Sequence, residues 1–138
     1  MEWIRKVDNR NNEIYMYFTL VDGFERYIDE YYSNEYKIPR EEVKDLILGM
    51  VDRVNKEIKG VECFWAMNRS TITIRIPKKD KNGREIKKII KKATRLMEEL
   101  LYEFETKIQK RAEEVNLENW IWKKAVYDRE KKRFVPSE

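Results

Sequence analysis

The chain has 138 residues, 30 of them lysine or arginine and 26 aspartate or glutamate, for a formal charge of +4. It holds no histidine and one cysteine, Cys63, which excludes an intramolecular disulfide, zinc sites built on histidine or several cysteines, and Ser-His-Asp or Cys-His catalysis. The charged share of 41% is far above the usual quarter; heavy use of glutamate and lysine, with Gln109 the single glutamine, points to a hot environment where ion-pair networks are cheaper to desolvate.

The length suits one domain, residues 1–138, with a real core. The opening MEWIRKVDNR lacks the apolar core of a signal peptide, and no stretch approaches eighteen apolar residues. A cytoplasmic location away from membranes is therefore expected. Cys63 lies in an apolar run and reads as a buried small hydrophobe.

EWIRKV and EIYMYFTL read as two strands around the polar turn DNRNN. Alternation in the second puts Ile14, Met16 and Phe18 on one face and Tyr15, Tyr17 and Thr19 on the other. After Asp22-Gly23, the spacing of Phe24, Tyr27, Ile28 and Tyr31 predicts a short helix. IPREEVKDLILGMVDRVNKEIKG predicts a clearer one. Pro39 suits its first turn, Glu41 and Glu42 its N-terminus and Gly60 its end. Its buried stripe is Val43, Ile47, Met50, Val54 and Ile58, widened by Leu46 and Val51.

VECFWAM and TITIRIP around NRS predict a hairpin, with Ile72, Ile74 and Ile76 toward the core and Thr71, Thr73 and Arg75 outward. A long helix then spans about residues 83–116, opened by Asn82 and Glu85 as a capping box. Ile86, Ile90, Ala93, Met97, Leu100 and Phe104 form a heptad stripe that Ile108, Ala112 and Val115 extend. At about 1.5 Å per residue it would reach near 50 Å, longer than a compact domain needs, so its far end could project toward a partner. The tail NWIWKKAVYDREKKRFVPSE reads as a strand or hairpin around Asp128-Arg129-Glu130, closing the sheet. The expected fold is α+β: an antiparallel sheet of about four to five strands with two or three helices packed on one face, including one long helix in the C-terminal half.

The functional signal is KKDKNGREIKKIIKKATR, residues 78–95, with nine basic side chains and two acidic ones. Lys78, Lys79 and Lys81 precede the long helix. Arg84, Lys87, Lys88, Lys91, Lys92 and Arg95 occupy its face opposite the apolar stripe. Four like-charge pairs fall at i,i+4 (84–88, 87–91, 88–92 and 91–95), costing on the order of 1–2 kcal/mol together, and the helix dipole adds to that cost. Residues 96–116 carry six glutamates and three basic residues, so the basicity is local. One reading is a solvated face, paired with acidic residues of FERYIDEYYSNEY. The other is a surface that binds the phosphates of nucleic acid, DNA or RNA, or of another polyanion. A membrane surface fits less well, because the apolar face is needed for the core.

A second basic group, Lys123, Lys124, Arg129, Lys131, Lys132 and Arg133, is interleaved with Trp120, Trp122, Tyr127 and Phe134. Cations between aromatic rings suit single-stranded nucleic acid, although the same rings could serve packing. DKNGREIKKI does not make the GxxG turn of a KH domain, since aspartate takes the first glycine position and a strand precedes it. The αββα order from residue 40 lacks the third strand of a double-stranded RNA-binding domain.

No reaction is named by the sequence. Glu41–Glu42, Glu98–Glu99 and Glu113–Glu114 sit on predicted helices among mixed charges, and the four glycines, 23, 49, 60 and 83, form no Walker or Rossmann fingerprint. A magnesium nuclease assembled from Asp22, Glu25 or Glu62 has no spacing to favour it. A non-enzymatic nucleic-acid-binding protein without cofactor or metal is the expectation. The alternative is a homo-oligomeric assembly protein, such as a homodimer, using the heptad helix and exposed aromatics; Trp122 and Trp65 would be its anchors if exposed, although Trp65 in the hairpin reads as core.

Overall fold

The computed structural model describes residues 3–20, 27–66 and 70–136, with the side chains of 118–128 and 133–136 left aside. Strict alternation builds the sheet. Along β2 (Glu13–Leu20), Ile14, Met16, Phe18 and Leu20 are buried and the intervening side chains half-buried. Along β4 (Thr71–Pro77), Ile72, Ile74 and Ile76 are fully buried on the same side. β1 (Trp3–Asn9) pairs with β2, and β3 (Glu62–Trp65) with β4, giving an antiparallel sheet in the order β1-β2-β4-β3.

The helices lie against the isoleucine face. α1 (Ile28–Tyr36) buries Ile28, Asp29 and Tyr32, and α2 (Arg40–Glu57) buries Val43, Ile47, Met50, Val51 and Val54. α3 (Gly83–Lys124) buries Ala93, Met97, Leu100, Phe104, Ile108, Ala112 and Val115, the expected stripe; Ile86 and Ile90 are half-buried at its start. The α+β layout, a four-stranded antiparallel sheet with three helices, is the one the patterning implies.

Three elements differ from expectation. The short helix begins at Ile28 and continues to Tyr36, where Lys37 turns left-handed (φ 61°) and its N–H bonds the Ser33 carbonyl at 2.9 Å. The polar Asn34 and Glu35 concealed that extra turn, and Phe24 lies outside the described residues. The long helix runs to Lys124 instead of stopping near 116, because no glycine or proline occurs between residues 84 and 135 to end it. The tail therefore begins as helix, and β5 (Ala125–Asp128) and β6 (Arg133–Pro136) form their own two-stranded sheet instead of closing the main one. Of the turn expected at residues 68–70 between β3 and β4, Asn68 and Arg69 lie outside the described residues, and the Ser70 carbonyl accepts the Leu20 N–H at 3.0 Å.

Polar contacts set the register between elements. Arg111 on α3 grips Glu42 on α2 with Nε and Nη2 at 2.7 and 3.0 Å, and Arg53 reaches Glu103 at 3.2 Å, so the two helices run antiparallel. Buried Asp29 accepts a 2.6 Å bond from Arg40, whose guanidinium lies 4.9 Å from the Tyr27 ring centre. The Asn55 amide clasps β3: Nδ2 donates to the Cys63 carbonyl at 2.9 Å and Oδ1 accepts the Cys63 N–H at 2.8 Å. Cys63 itself is buried, which pushes its thiol pKa up to about 12 and leaves it a packing residue.

Two outcomes follow for stability. Ile74→Ala, on a central strand with no exposure, should cost about 2–5 kcal/mol in denaturant unfolding, as buried Ile truncations do. Arg111 holds the Glu42 carboxyl below its ordinary value of 4.5, so this pair stabilises the fold above that pH and ceases to as pH falls through the lowered pKa. Glu42→Gln should therefore be less stable than the parent at pH 7, with the difference vanishing under acid; a gap that persists at pH 2 would refute the ionic account.

Candidate nucleic-acid interface

The loop before α3 is shaped by two of its own lysines. Lys78 Nζ donates to the Asn9 side-chain oxygen and the Arg10 carbonyl, and its N–H bonds the Asn12 carbonyl, tying the loop to the β1–β2 turn. Lys81 Nζ donates to the Pro77 carbonyl at 2.9 Å, and the end of its side chain lies beside Gly60, ahead of β3. Both are half-buried, while Lys79 between them is exposed. Asn82 then caps the helix, its Oδ1 accepting the Glu85 N–H at 2.9 Å.

Beyond the cap, Arg84, Lys87, Lys88, Lys91, Lys92 and Arg95 are all exposed, and Ile86, Ile89 and Ile90 turn toward the core. Ile89 extends the stripe that the heptad spacing traced through Ile86 and Ile90. Among the described residues, no carboxylate comes within 4.0 Å of Lys79 or of these six cations; every ion pair there involves Arg10, Arg40, Arg53, Arg75 or Arg111.

Helix lengths explain this bareness. Following the antiparallel register from Glu42–Arg111 and Arg53–Glu103 at equal rise, the end of α2 comes level with about residues 96–99. Residues 84–95 thus overhang the end of α2. The acidic α1, proposed above as a neutralising partner, packs farther along α3, where Tyr32 meets Phe104 edge-on at 4.8 Å, and its Asp29 is taken by Arg40.

β1 contributes cations that the run of lysines had overshadowed. Arg5 Nη1 donates to Thr94 Oγ1 at 2.9 Å, which sets the sheet edge against the turn carrying Lys91 and Arg95. Lys6 is exposed on the opposite sheet face, with no ion pair among the described residues. The signal for both was the alternation of a strand whose charged residues sit next to each other, one for each face.

The second basic group does not join the first. Lys131 and Lys132 are exposed in the β5–β6 turn, while the side chains of Lys123, Lys124 and Arg133 lie outside the described ones. From Arg95 to Lys123 the helix alone advances about 42 Å, so the two groups occupy opposite ends of α3.

Among the described residues, no group of three or more Cys, Asp and Glu side chains is arranged to hold a metal ion. No helix there is long and apolar enough to cross a membrane. The paired glutamates of the sequence spread along helix surfaces, Glu42 and Glu114 both on Arg111. No protein-family model, curated protein or solved structure matches the chain.

The bare lysines predict a stability gain on mutation. Lys88→Glu with Lys91→Glu converts all four like-charge i,i+4 pairs into opposite-charge ones, for a gain of about 1–3 kcal/mol in denaturant unfolding at low salt. A loss of stability would mean these side chains already have partners.

Proposed function

We propose that the protein binds nucleic acid through phosphate contacts made by the first three turns of α3. The observation that carries the reading is the row of exposed cations from Arg84 to Arg95 with no carboxylate among the described residues within ion-pair distance. Four repulsive pairs are retained on a helix whose later turns mix both signs, and an anionic guest offsets that cost. The mechanism is electrostatic. Lysine ammonium groups replace condensed counterions at successive phosphates, so affinity is largely indifferent to base sequence and weakens steeply with salt. Arg5 and Lys79 widen the footprint, whereas Lys78 and Lys81 shape the loop and add charge from behind. No reaction is part of the reading, and a cytoplasmic setting accords with it.

With about four to six phosphates engaged on duplex DNA, log affinity should fall against log salt with a slope near −4 to −5. Changing Lys87, Lys88, Lys91 and Lys92 to glutamine should reduce that slope by about one for each lysine removed. Unchanged binding in a folded variant would remove this surface from the proposal.

A second reading, a homo-oligomeric assembly protein, is favoured by Tyr102 and Leu117, which stand 75% and 58% exposed on α3. Sedimentation separates the two: an oligomer stable at high salt and without affinity for DNA or RNA supports assembly alone.

A further inference from the structure

The sheet face turned away from the helices has its own order. Reading across the strands, one row is Lys6, Tyr17, Thr73 and Phe64, each directly opposite the next. Tyr17, Thr73 and Phe64, with Thr19 and Thr71, line a shallow trough of about 420 Å³. Phe64 is 38% exposed, and Ile4 beside the trough is 53% exposed. In the neighbouring row Asp8, Arg75 and Glu62 are held by ion pairs, Arg75 to Glu13 and Glu62 and Arg10 to Asp8, and the Tyr15 hydroxyl donates to Glu13 at 2.7 Å. One half of the face is therefore self-satisfied. The other is aromatic and hydroxylic, with Lys6 free of any ion pair among the described residues.

Tyr15, which also lines the trough, joins the two halves through its ring. The Arg10 guanidinium lies 4.5 Å from the Tyr15 ring centre, and Tyr15 and Tyr17 lie nearly parallel (6°) with centres 6.1 Å apart. Tyr17 is the last ring of that series and lines the trough. Phe64 lies two strands away, about 10 Å at ordinary strand spacing, so with only Thr73 between them the rings make two separate stations. The Thr19 and Thr71 hydroxyls, 3.1 Å apart, supply donor and acceptor capacity at the trough's margin.

This half is continuous with the lysine face. β1 is the edge strand; Arg5 reaches under it to Thr94, between Lys91 and Arg95, while Lys6 projects on the trough side. A cationic path thus leads from α3 around the sheet edge to Tyr17. We infer that the outer face of the sheet is a stacking platform for bases of single-stranded nucleic acid, on Tyr17 and Phe64, with the strand's phosphates following Lys6 and Arg5 to the lysine turns of α3. The inference rests on the proposed polyanion surface and specifies its ligand. Duplex has its bases already stacked and cannot use the rings, whereas every base of a single strand offers a face to them.

The test compares a 12-nucleotide oligo(dT) or oligo(U) with a 12-base-pair mixed-sequence duplex, using the full chain. Wild type should prefer the single strands. Tyr17→Leu with Phe64→Leu should lower single-strand affinity by about tenfold or more while leaving the salt slope and duplex binding unchanged, and Tyr17→Phe should bind as wild type. Ultraviolet crosslinking of wild type to oligo(U) should label the peptides carrying Tyr17 or Phe64, a readout independent of how the variants fold. Full single-strand affinity in the leucine variant, equal losses on both ligands, or crosslinks confined to other peptides would each overturn the platform and leave the lysine surface standing. A wild-type chain that binds neither ligand would overturn both. A self-association that the leucine changes abolish, without change in oligonucleotide binding, would assign the face to a second copy of the chain and overturn the inference.

Discussion

The structure turns on a mismatch of helix lengths. α2 has 18 residues and α3 has 42, and their antiparallel packing is registered by Glu42–Arg111 and Arg53–Glu103. A helix that advances about 1.5 Å per residue cannot cover a neighbour more than twice its length, so α3 overhangs α2 at both ends. The N-terminal overhang still packs its isoleucines against the core while its polar side meets solvent. The cations thus stand on a packed helix, and charges arrayed on such a helix lose less entropy on meeting an anion than charges on a mobile tail.

Charge is distributed in keeping with that geometry. Where helices meet, arginine and carboxylate pair across the interface, as at Arg40–Asp29 and Arg111–Glu42; along the N-terminal overhang of α3, one sign dominates. The exposed pairs among them, such as Arg53–Glu103, contribute little to stability one by one, but they fix which turn faces which. The same economy marks the loop, where Lys78 and Lys81 spend their donors on backbone and side-chain oxygens and so hold the helix start beside the β1–β2 turn.

What could be read from residues alone was whatever a single element determines. Ile14, Met16 and Phe18, Ile72, Ile74 and Ile76, and the heptad from Ile86 to Phe104 report their own periodicity, and the structure buries those faces. The end of α3 was not readable that way, because Asn116 and Asn119 resemble a stop but no glycine or proline enforces one. Separation of the two basic groups followed from that same continuation. The inward turn of Lys78 and Lys81 depends on oxygens from Asn9, Arg10 and Pro77, partners that only the folded arrangement supplies. Tyr17, Thr73 and Phe64 come from three strands, and their alignment is a property of register, which no one strand encodes.

The Asn55 clasp on Cys63 has a consequence for how such molecules meet. An amide side chain that takes both the N–H and the carbonyl of one residue on the outer flank of β3 occupies the position an incoming strand would need first. Fibril-like growth from that border is obstructed at its nucleating step. Any β-augmentation of this sheet must start at β1, where Arg5 and Lys6 would oppose identical charges on a second copy, so the four-stranded sheet resists polymerising through either border.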